Sequence, residues 1–514
     1  MTRPAPPNSA GFAVEFAGVS KRFGAVVAND AVSFGIGAGA IHGIVGENGA
    51  GKSTLMSILY GFYQADAGSI RLRGQEARIR TSHEAIAQGI GMVHQHFMLV
   101  DAFTVLENIV LGVEGGALLG AGLDRARARL AQLGRDYGLE IDPDTRVGDL
   151  PVGVQQRVEI LKTLYRGARI MILDEPTAVL TLQEVEGLFA TLRRLRDEGK
   201  TVIIVTHKLR EIMDLTDAVT IMRAGKVVAQ LATSQTSAAE IAELMVGRKL
   251  EPPRRAAATP GPVVLAVENL GLSDARGVTR LAGVSFTVRR GEILGIAGVS
   301  GNGQTELLEV LAGLRAPSAG RMLFHGEDLA RHYGPDLPAR LRRLGIAHVP
   351  EDRHGAGMVM PFTAQENAAL GYQGDAALGP GPMLLPGRLA LRCRRFMAKF
   401  DVRPADPGLR ASLFSGGNQQ KLVLARELDR DPELLLIGQP TRGVDIGAIE
   451  FIHGQLLALR AAGKAVVLVS TELEEILALA DRILVMCAGR ITGELAAAEA
   501  DEAKIGLMMA GMAA

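Results

Sequence analysis

Eight consecutive residues, Gly46-Glu47-Asn48-Gly49-Ala50-Gly51-Lys52-Ser53, fit the pattern G-x-x-x-x-G-K-[ST], and an apolar run at 41–45 leads into them. In this spacing glycines let the backbone curl until its N–H groups surround phosphate oxygens. The lysine then neutralises charge on the outer phosphates, and the Ser53 hydroxyl reaches a magnesium ion. A helix is expected to open at Thr54. Further along, Ile170-Met171-Ile172-Leu173 has the character of a strand, and it ends in Asp174-Glu175. Asp174 suits the magnesium and Glu175 suits the water that attacks a phosphoryl group. An acid pair at a strand end can also merely cap the next helix. Its coincidence with the glycine loop favours chemistry.

A second constellation lies in the other half. Phe414-Ser415-Gly416-Gly417-Asn418-Gln419-Gln420-Lys421 precedes a helical pattern. A hydroxyl and two glycines thus stand where a helix N-terminus offers N–H groups to an anion.

These loops need elements to hold them, and the chain builds such elements twice. Ile172-Leu173-Asp174-Glu175-Pro176-Thr177 aligns with Leu436-Ile437-Gly438-Gln439-Pro440-Thr441, 264 residues on (438 − 174); Gly153 pairs with Gly417 and His207 with Thr471 at the same distance. Nearer the N-terminus the offset is 252 (304 − 52), so the second copy carries insertions after its glycine loop. So long a period marks duplication of a whole domain rather than a stack of short repeats. Within each copy, apolar runs alternate with helical segments such as 182–196, the pattern of α/β layers around a mainly parallel sheet. Such sheets bind ligands at strand C-termini. The expected division is a loose tail at 1–11, a first domain over 12–250, a Pro-, Ala- and Arg-rich linker over 251–262, and a second domain over 263–514.

The bulk composition sets limits. The 514 residues are 47% hydrophobic and 22% charged, which excludes a disordered or collagen-like chain. Fifty-six basic residues balance 56 acidic ones, so no global field draws nucleic acid or anionic lipid. Cys393 and Cys487 lack metal-ligand spacing and are expected to be reduced thiols of a cytoplasmic protein. The start has no secretory-signal pattern. No apolar run approaches the roughly 20 residues that span a bilayer, so a membrane role needs a separate partner.

In order and spacing these motifs resemble the cassettes of ABC transporters, from about Phe12 to the C-terminus. The resemblance implies an α/β fold of two tandem P-loop NTPase cassettes. Each would have a mainly parallel sheet core, an antiparallel β subdomain and a helical subdomain, the two paired head to tail as a pseudo-dimer. ATP and Mg2+ are the implied cofactors. Gly46, Glu47, Asn48, Gly49, Ala50, Gly51, Lys52, Ser53 and Thr54 would surround the phosphates, and Phe23 would stack on adenine. Ser53, Asp174 and Gln95 would serve the metal. Lys52, Glu175, His207 and the Q-loop residue Gln95 would form the catalytic set around the γ-phosphate. The signature residues Ser415, Gly416, Gly417 and Asn418, with the D-loop acid Asp445, would reach the same nucleotide from the second cassette.

The two copies are not equivalent. In the second, Gln304 replaces the loop lysine, Gly438 the magnesium carboxylate, Gln439 the water-polarising glutamate, Glu351 the Q-loop glutamine and Thr471 the histidine. A neutral amide cannot bring lysine's charge to developing negative oxygens. The first copy's signature reads Leu150-Pro151-Val152-Gly153-Val154-Gln155-Gln156-Arg157, and Thr181 stands where the second copy keeps Asp445. Pro151 has neither hydroxyl nor N–H. With head-to-tail pairing, these losses sort into one complete and one degenerate composite site.

Fused, asymmetric cassettes resemble the ATPases of ribose- and galactose-type sugar importers and of their nucleoside-importing relatives. The stretches at 91–99, 151–161 and 349–354 tip the resemblance toward the nucleoside branch. It implies two permease subunits and an extracytoplasmic substrate-binding protein as partners. The chain itself would sit on the cytoplasmic face of the membrane without insertion. The segment 96–99 is a candidate for docking a permease helix; ordinary packing is the alternative. Soluble ABC translation factors also fuse two cassettes, but they carry a long basic linker and two complete sites, and nucleic acid is not an expected partner here. DNA-repair ABC ATPases would need zinc-finger or coiled-coil insertions that the sequence lacks. A non-hydrolytic scaffold is the remaining rival.

Overall fold

A computed structural model describes residues 11–24, 26–94, 97–113, 119–177, 180, 182–249, 260–274, 276–299, 301–329, 333–380, 383–509 and 511. The chain divides into two compact units, Met1–Leu250 and Glu251–Ala514. The tail expected at 1–11 falls, but for Gly11, outside the described residues, as do linker residues 251–259.

The strands of the first unit are β1 (Phe12–Phe23), β2 (Val26–Gly37), β3 (Ile41–Gly46), β4 (Ala67–Leu72), β5 (Gln75–Ala77), β6 (Ile90–Val93), β7 (Ile170–Asp174), β8 (Thr201–Thr206), β9 (Ala218–Arg223) and β10 (Lys226–Ala232). An antiparallel sheet has the order β2-β1-β4-β5, and a six-stranded sheet has the order β10-β9-β3-β8-β7-β6. In the latter, β9, β3, β8, β7 and β6 are parallel and only β10 is antiparallel. The middles of β7 and β8, residues 170–173 and 202–205, are unbroken apolar runs because both faces of this sheet are covered. Met171, Leu173, Val202 and Ile204 join a core with the helices Val105–Val110, Leu119–Tyr137 and Val152–Tyr165. Their alternates Ile170, Ile172, Ile203 and Val205 face a core beneath the antiparallel sheet. Each such aliphatic side chain contributes about 1.5–3 kcal/mol by leaving water.

The second unit repeats the plan with β11 (Val263–Ser273), β12 (Thr279–Arg289), β13 (Ile293–Ala297), β14 (Ala319–Phe324), β15 (Glu327–Asp328), β16 (Ile346–Val349), β17 (Leu434–Gly438), β18 (Ala465–Ser470), β19 (Arg482–Cys487) and β20 (Arg490–Ala496). Its sheets run β12-β11-β14-β15 and β16-β17-β18-β13-β19-β20. The same alternation splits Ile437, Val466 and Leu468 from Leu436, Val467 and Val469. Both units use the same local device to fix the loop before a short helix. Thr104 with Glu107, and Thr363 with Glu366, form capping boxes. Behind them the buried amides of Asn108 and Asn367 accept from the N–H of Val100 and Val359 at 2.8 Å. Among the described residues no helix is long and apolar enough to cross a membrane.

Candidate nucleotide site

β3 lies between β9 and β8, and β7 lies beside β8. The C-terminal ends of β3, β7 and β8 therefore bring the glycine loop, Asp174-Glu175 and His207 to one edge of the sheet. The helix after the loop is Lys52–Leu59, starting two residues before the expected Thr54. The reason is Gly51, which caps it at φ +94°, so the turn closes on the lysine itself. A Cβ on Gly51 would strike the Ala28 carbonyl oxygen and lie 2.7 Å from Asn29 Nδ2. Only glycine meets both the conformation and the space. Asn29, fully buried, donates from Nδ2 to the Gly51 carbonyl at 3.1 Å. Lys52 is 5% exposed, and its Nζ donates to the Gly46 and Glu47 carbonyls at 2.7 and 3.0 Å.

Ser53 Oγ donates to Asp174 Oδ1 at 3.5 Å. Cis ligands of octahedral magnesium stand about 2.9 Å apart, given bonds of roughly 2.0–2.1 Å. A small closure of this pair forms one edge of such a site, so the residues fit the metal. Among the described residues no group of three or more His, Cys, Asp or Glu gathers as a metal cluster. Burial pushes the Asp174 carboxyl above its ordinary value, against the pull of the Ser53 bond.

Glu175 has a left-handed backbone, φ +48°, and its N–H donates to the Val205 carbonyl at 2.8 Å. A carboxylate can only accept, so His207 Nδ1 donates to Glu175 Oε1 at 3.1 Å. That bond holds the Glu175 carboxyl below its ordinary value, outweighing desolvation. Glu175 is thereby kept as an anion able to orient water. Phe23 is 43% exposed, with Tyr63 edge-on at 5.2 Å and Lys21 Nζ 5.5 Å from its ring centre. Gln95, which the resemblance places in the Q-loop, and Thr181 lie outside the described residues.

In the second unit the backbone is reproduced and the side chains are not. Gly303 caps helix Gln304–Leu311 at φ +100°. Gln304 is 5% exposed, and its Nε2 donates to the Val299 carbonyl at 3.2 Å. Gln439 keeps φ +47° and its N–H bond to the Val469 carbonyl at 2.8 Å. Where His207 meets Glu175, the Thr471 hydroxyl donates to the Gln439 amide oxygen at 3.1 Å, a neutral pair with no base.

The signature segments show the opposite asymmetry. Ser415 is exposed and stands at the N-cap of helix Gly416–Leu428, with no capping bond from its side chain to the helix backbone. Its Oγ accepts from Asn418 Nδ2 at 2.8 Å. Asp445 caps helix Ile446–Ala461 by accepting from the Ala448 N–H at 2.8 Å. In the first unit Pro151 caps helix Val152–Tyr165, and the Val152 side chain is 46% exposed. A Cβ on Gly153 would lie 2.7 Å from Glu184 Cδ, and one on Gly417 would lie 2.9 Å from Asp445 Oδ2. Gly153 and its counterpart Gly417 thus each have a carboxylate beside them, supplied from different positions.

Sequence reasoning missed Asn29, Glu184 and Tyr63, because each acts on a motif through a contact distant in the chain. No local pattern marks them.

The fold and the loop define a P-loop nucleotide-binding protein built twice over. A family model described as ABC transporter matches residues 29–178 and 281–442, together more than half of the chain. The chain belongs to the ABC transporter family. It is 44% identical to the nucleoside import ATP-binding protein NupA of Lactococcus lactis subsp. cremoris (strain MG1363), over 97% of this chain and 98% of that protein. It is 45% identical to the guanosine import ATP-binding protein NupO of Bacillus subtilis (strain 168), with the same coverage. It is also 45% identical to the glucose import ATP-binding protein TsgD13 of Haloferax volcanii, over 96% of this chain and 94% of that protein.

Proposed function

We propose that this chain is the ATP-hydrolysing subunit of an importer for nucleosides, with one hydrolytic ATP site. The observation that carries the reading is the placement of Lys52, Ser53, Asp174, Glu175 and His207 at one sheet edge, against the uncharged Gln439–Thr471 pair of the second unit. When bound, Mg2+ screens the phosphate charge. Lys52 neutralises the outer phosphates, Glu175 orients the attacking water, and His207 holds Glu175 ionised. With the head-to-tail pairing expected from the sequence, Ser415 and Asp445 of the second cassette would complete the hydrolytic site. Two membrane permease subunits and an extracytoplasmic binding protein are the partners, and the chain is peripheral at the cytoplasmic face.

A groove of about 280 Å³ in the first unit supports permease docking. Tyr60, Phe62, Met98, Leu111 and Val113 give it an apolar wall, and Lys162 a charged one. Met98 is exposed, whereas Leu99 packs on the core, so only part of the segment at 96–99 is free to dock; His96 lies outside the described residues.

Glu175→Gln is expected to cut ATP turnover by about 10²-fold or more while nucleotide binding persists. Ser415→Arg should also depress turnover, although it lies in the other unit. Near-wild-type phosphate release from either purified variant would overturn the site assignment. The nucleoside cargo rests on the relatives and on the stretches at 91–99, 151–161 and 349–354. The 45% identity to a glucose import protein favours a sugar as the second reading. Uptake of labelled guanosine and ribose into vesicles holding the cognate permease decides between them.

A further inference from the structure

We propose that Glu211 is a positioning residue for the hydrolytic site: its buried carboxylate clasps the Thr177 hydroxyl and so fixes the turn that aims Glu175 at water. The proposal rests on the site reading above and extends it to a buried acid that lies outside the motifs.

Three observations carry it. The first is where the bond falls. Thr177 follows Glu175 by two residues, and its Oγ1 donates to Oε1 of Glu211, in the first turn of helix Leu209–Leu215. Lys208 Nζ donates to the Thr177 carbonyl at 3.5 Å and lies 4.0 Å from the same Glu211 oxygen. With the His207–Glu175 bond and the Glu175 N–H on Val205, the left-handed turn at Glu175 is tied on both sides to β8 and the helix after it.

The second is burial. Glu211 is 5% exposed and Thr177 3%. Burial pushes the Glu211 carboxyl above its ordinary value, against the pull of Thr177 and Lys208. An acid this far from water destabilises a fold unless its partners offset the lost hydration, and a side chain that only filled space would be apolar.

The third is the contrast between the units. The second keeps both residues 264 positions on, as Thr441 (441 − 177) and Glu475 (475 − 211), and both are buried. There Glu475 Oε1 accepts from His453 Nε2 at 3.1 Å, and His453 takes the place of Phe189 (453 − 264), a core side chain of the first unit. Glu472 stands where the first unit has Lys208 (208 + 264). The acid is thus bonded to a histidine of helix Ile446–Ala461 in the unit that lacks the catalytic glutamate, and to the turn threonine in the unit that has it. Without the clasp the turn relaxes and Glu175 drifts from the attacking water, while the groups that hold phosphate stay in place.

Steady-state hydrolysis by the full chain tests this through the split between kcat and KM. Thr177→Val, nearly isosteric, and Glu211→Met, which keeps the side-chain length without an acceptor, should each lower kcat about tenfold while KM for ATP stays within about twofold. Either variant reads the clasp should the other fold poorly. Thr177→Ser keeps the donor and Glu211→Gln keeps an acceptor, so each should retain about half or more of the parent kcat. Thr177→Val and Glu211→Met combined should fall no further than the worse single variant, because both remove one interaction. Near-parent kcat in a folded Thr177→Val or Glu211→Met chain, a loss carried by KM, or an equal loss in the conservative variants overturns the proposal. Glu175→Gln, run alongside, separates this from the site reading. If it keeps its turnover, the site reading fails; if it loses turnover while Thr177→Val and Glu211→Met keep theirs, the clasp alone fails.

Discussion

Asp174 is ionised at a cost to the fold, and that cost has a sign that can be measured. Its carboxyl value is raised by burial, so the folded chain holds this proton more tightly than the unfolded chain does. Stability from this group is accordingly greatest at low pH and falls as pH climbs through the raised value. Asp174→Asn should therefore raise the melting temperature in nucleotide-free buffer at pH 7–8, with the gap closing below about pH 4. A melting curve unchanged or lowered at pH 8 would contradict the burial argument. Residues with a fixed motif spacing, such as Lys52, Ser53 and Asp174, were legible in the sequence, because the loop and strand that carry them are local. The Glu184 carboxylate beside Gly153 and the Asn29 amide beneath Gly51 were not, since tertiary packing alone puts them there.

At the scale of the element, the phosphate loop is strained at one glycine and roomy at another. Gly51→Ala meets both a left-handed φ and the Ala28 carbonyl, whereas an added Cβ on Gly49, φ +82°, meets nothing within 4 Å. Gly49→Ala should cost about 1–2 kcal/mol in urea unfolding, from backbone conformation alone. Gly51→Ala should cost more than that and should also weaken ATP binding measured by fluorescence titration. Equal losses in the two variants would show that the close approach to Ala28 does not matter. Strand existence and sheet layering were legible because fully covered strands are unbroken apolar runs. The start of helix Lys52–Leu59 was placed two residues late. Its boundary depends on the dihedral of Gly51, which the amino-acid order does not display. The Asn108 and Asn367 clamps likewise went unread, since a buried asparagine in a short helix looks like a surface one.

For the whole chain, duplication is the part most openly written in the sequence, through the 264-residue offset that maps β7 onto β17. Under the proposed one-engine reading, vanadate should trap one ADP per chain at saturating Mg-ATP, and Gln439→Glu should leave that stoichiometry at one, because Gln304 and Gly438 are unchanged. Two trapped nucleotides per wild-type chain would refute it. The turn at Gln439 gives the duplication a further meaning. A non-glycine residue in the left-handed region is a strained backbone, and the second unit retains it at φ +47° for an amide, as the first does at φ +48° for an acid. Under the one-engine reading, dormancy in that half is accordingly a matter of functional groups and not of this turn: to rekindle it, an engineer would graft side chains at 304, 351, 438, 439 and 471 onto a turn already bent to receive them, and would also repair the first unit's positions 151, 152 and 181.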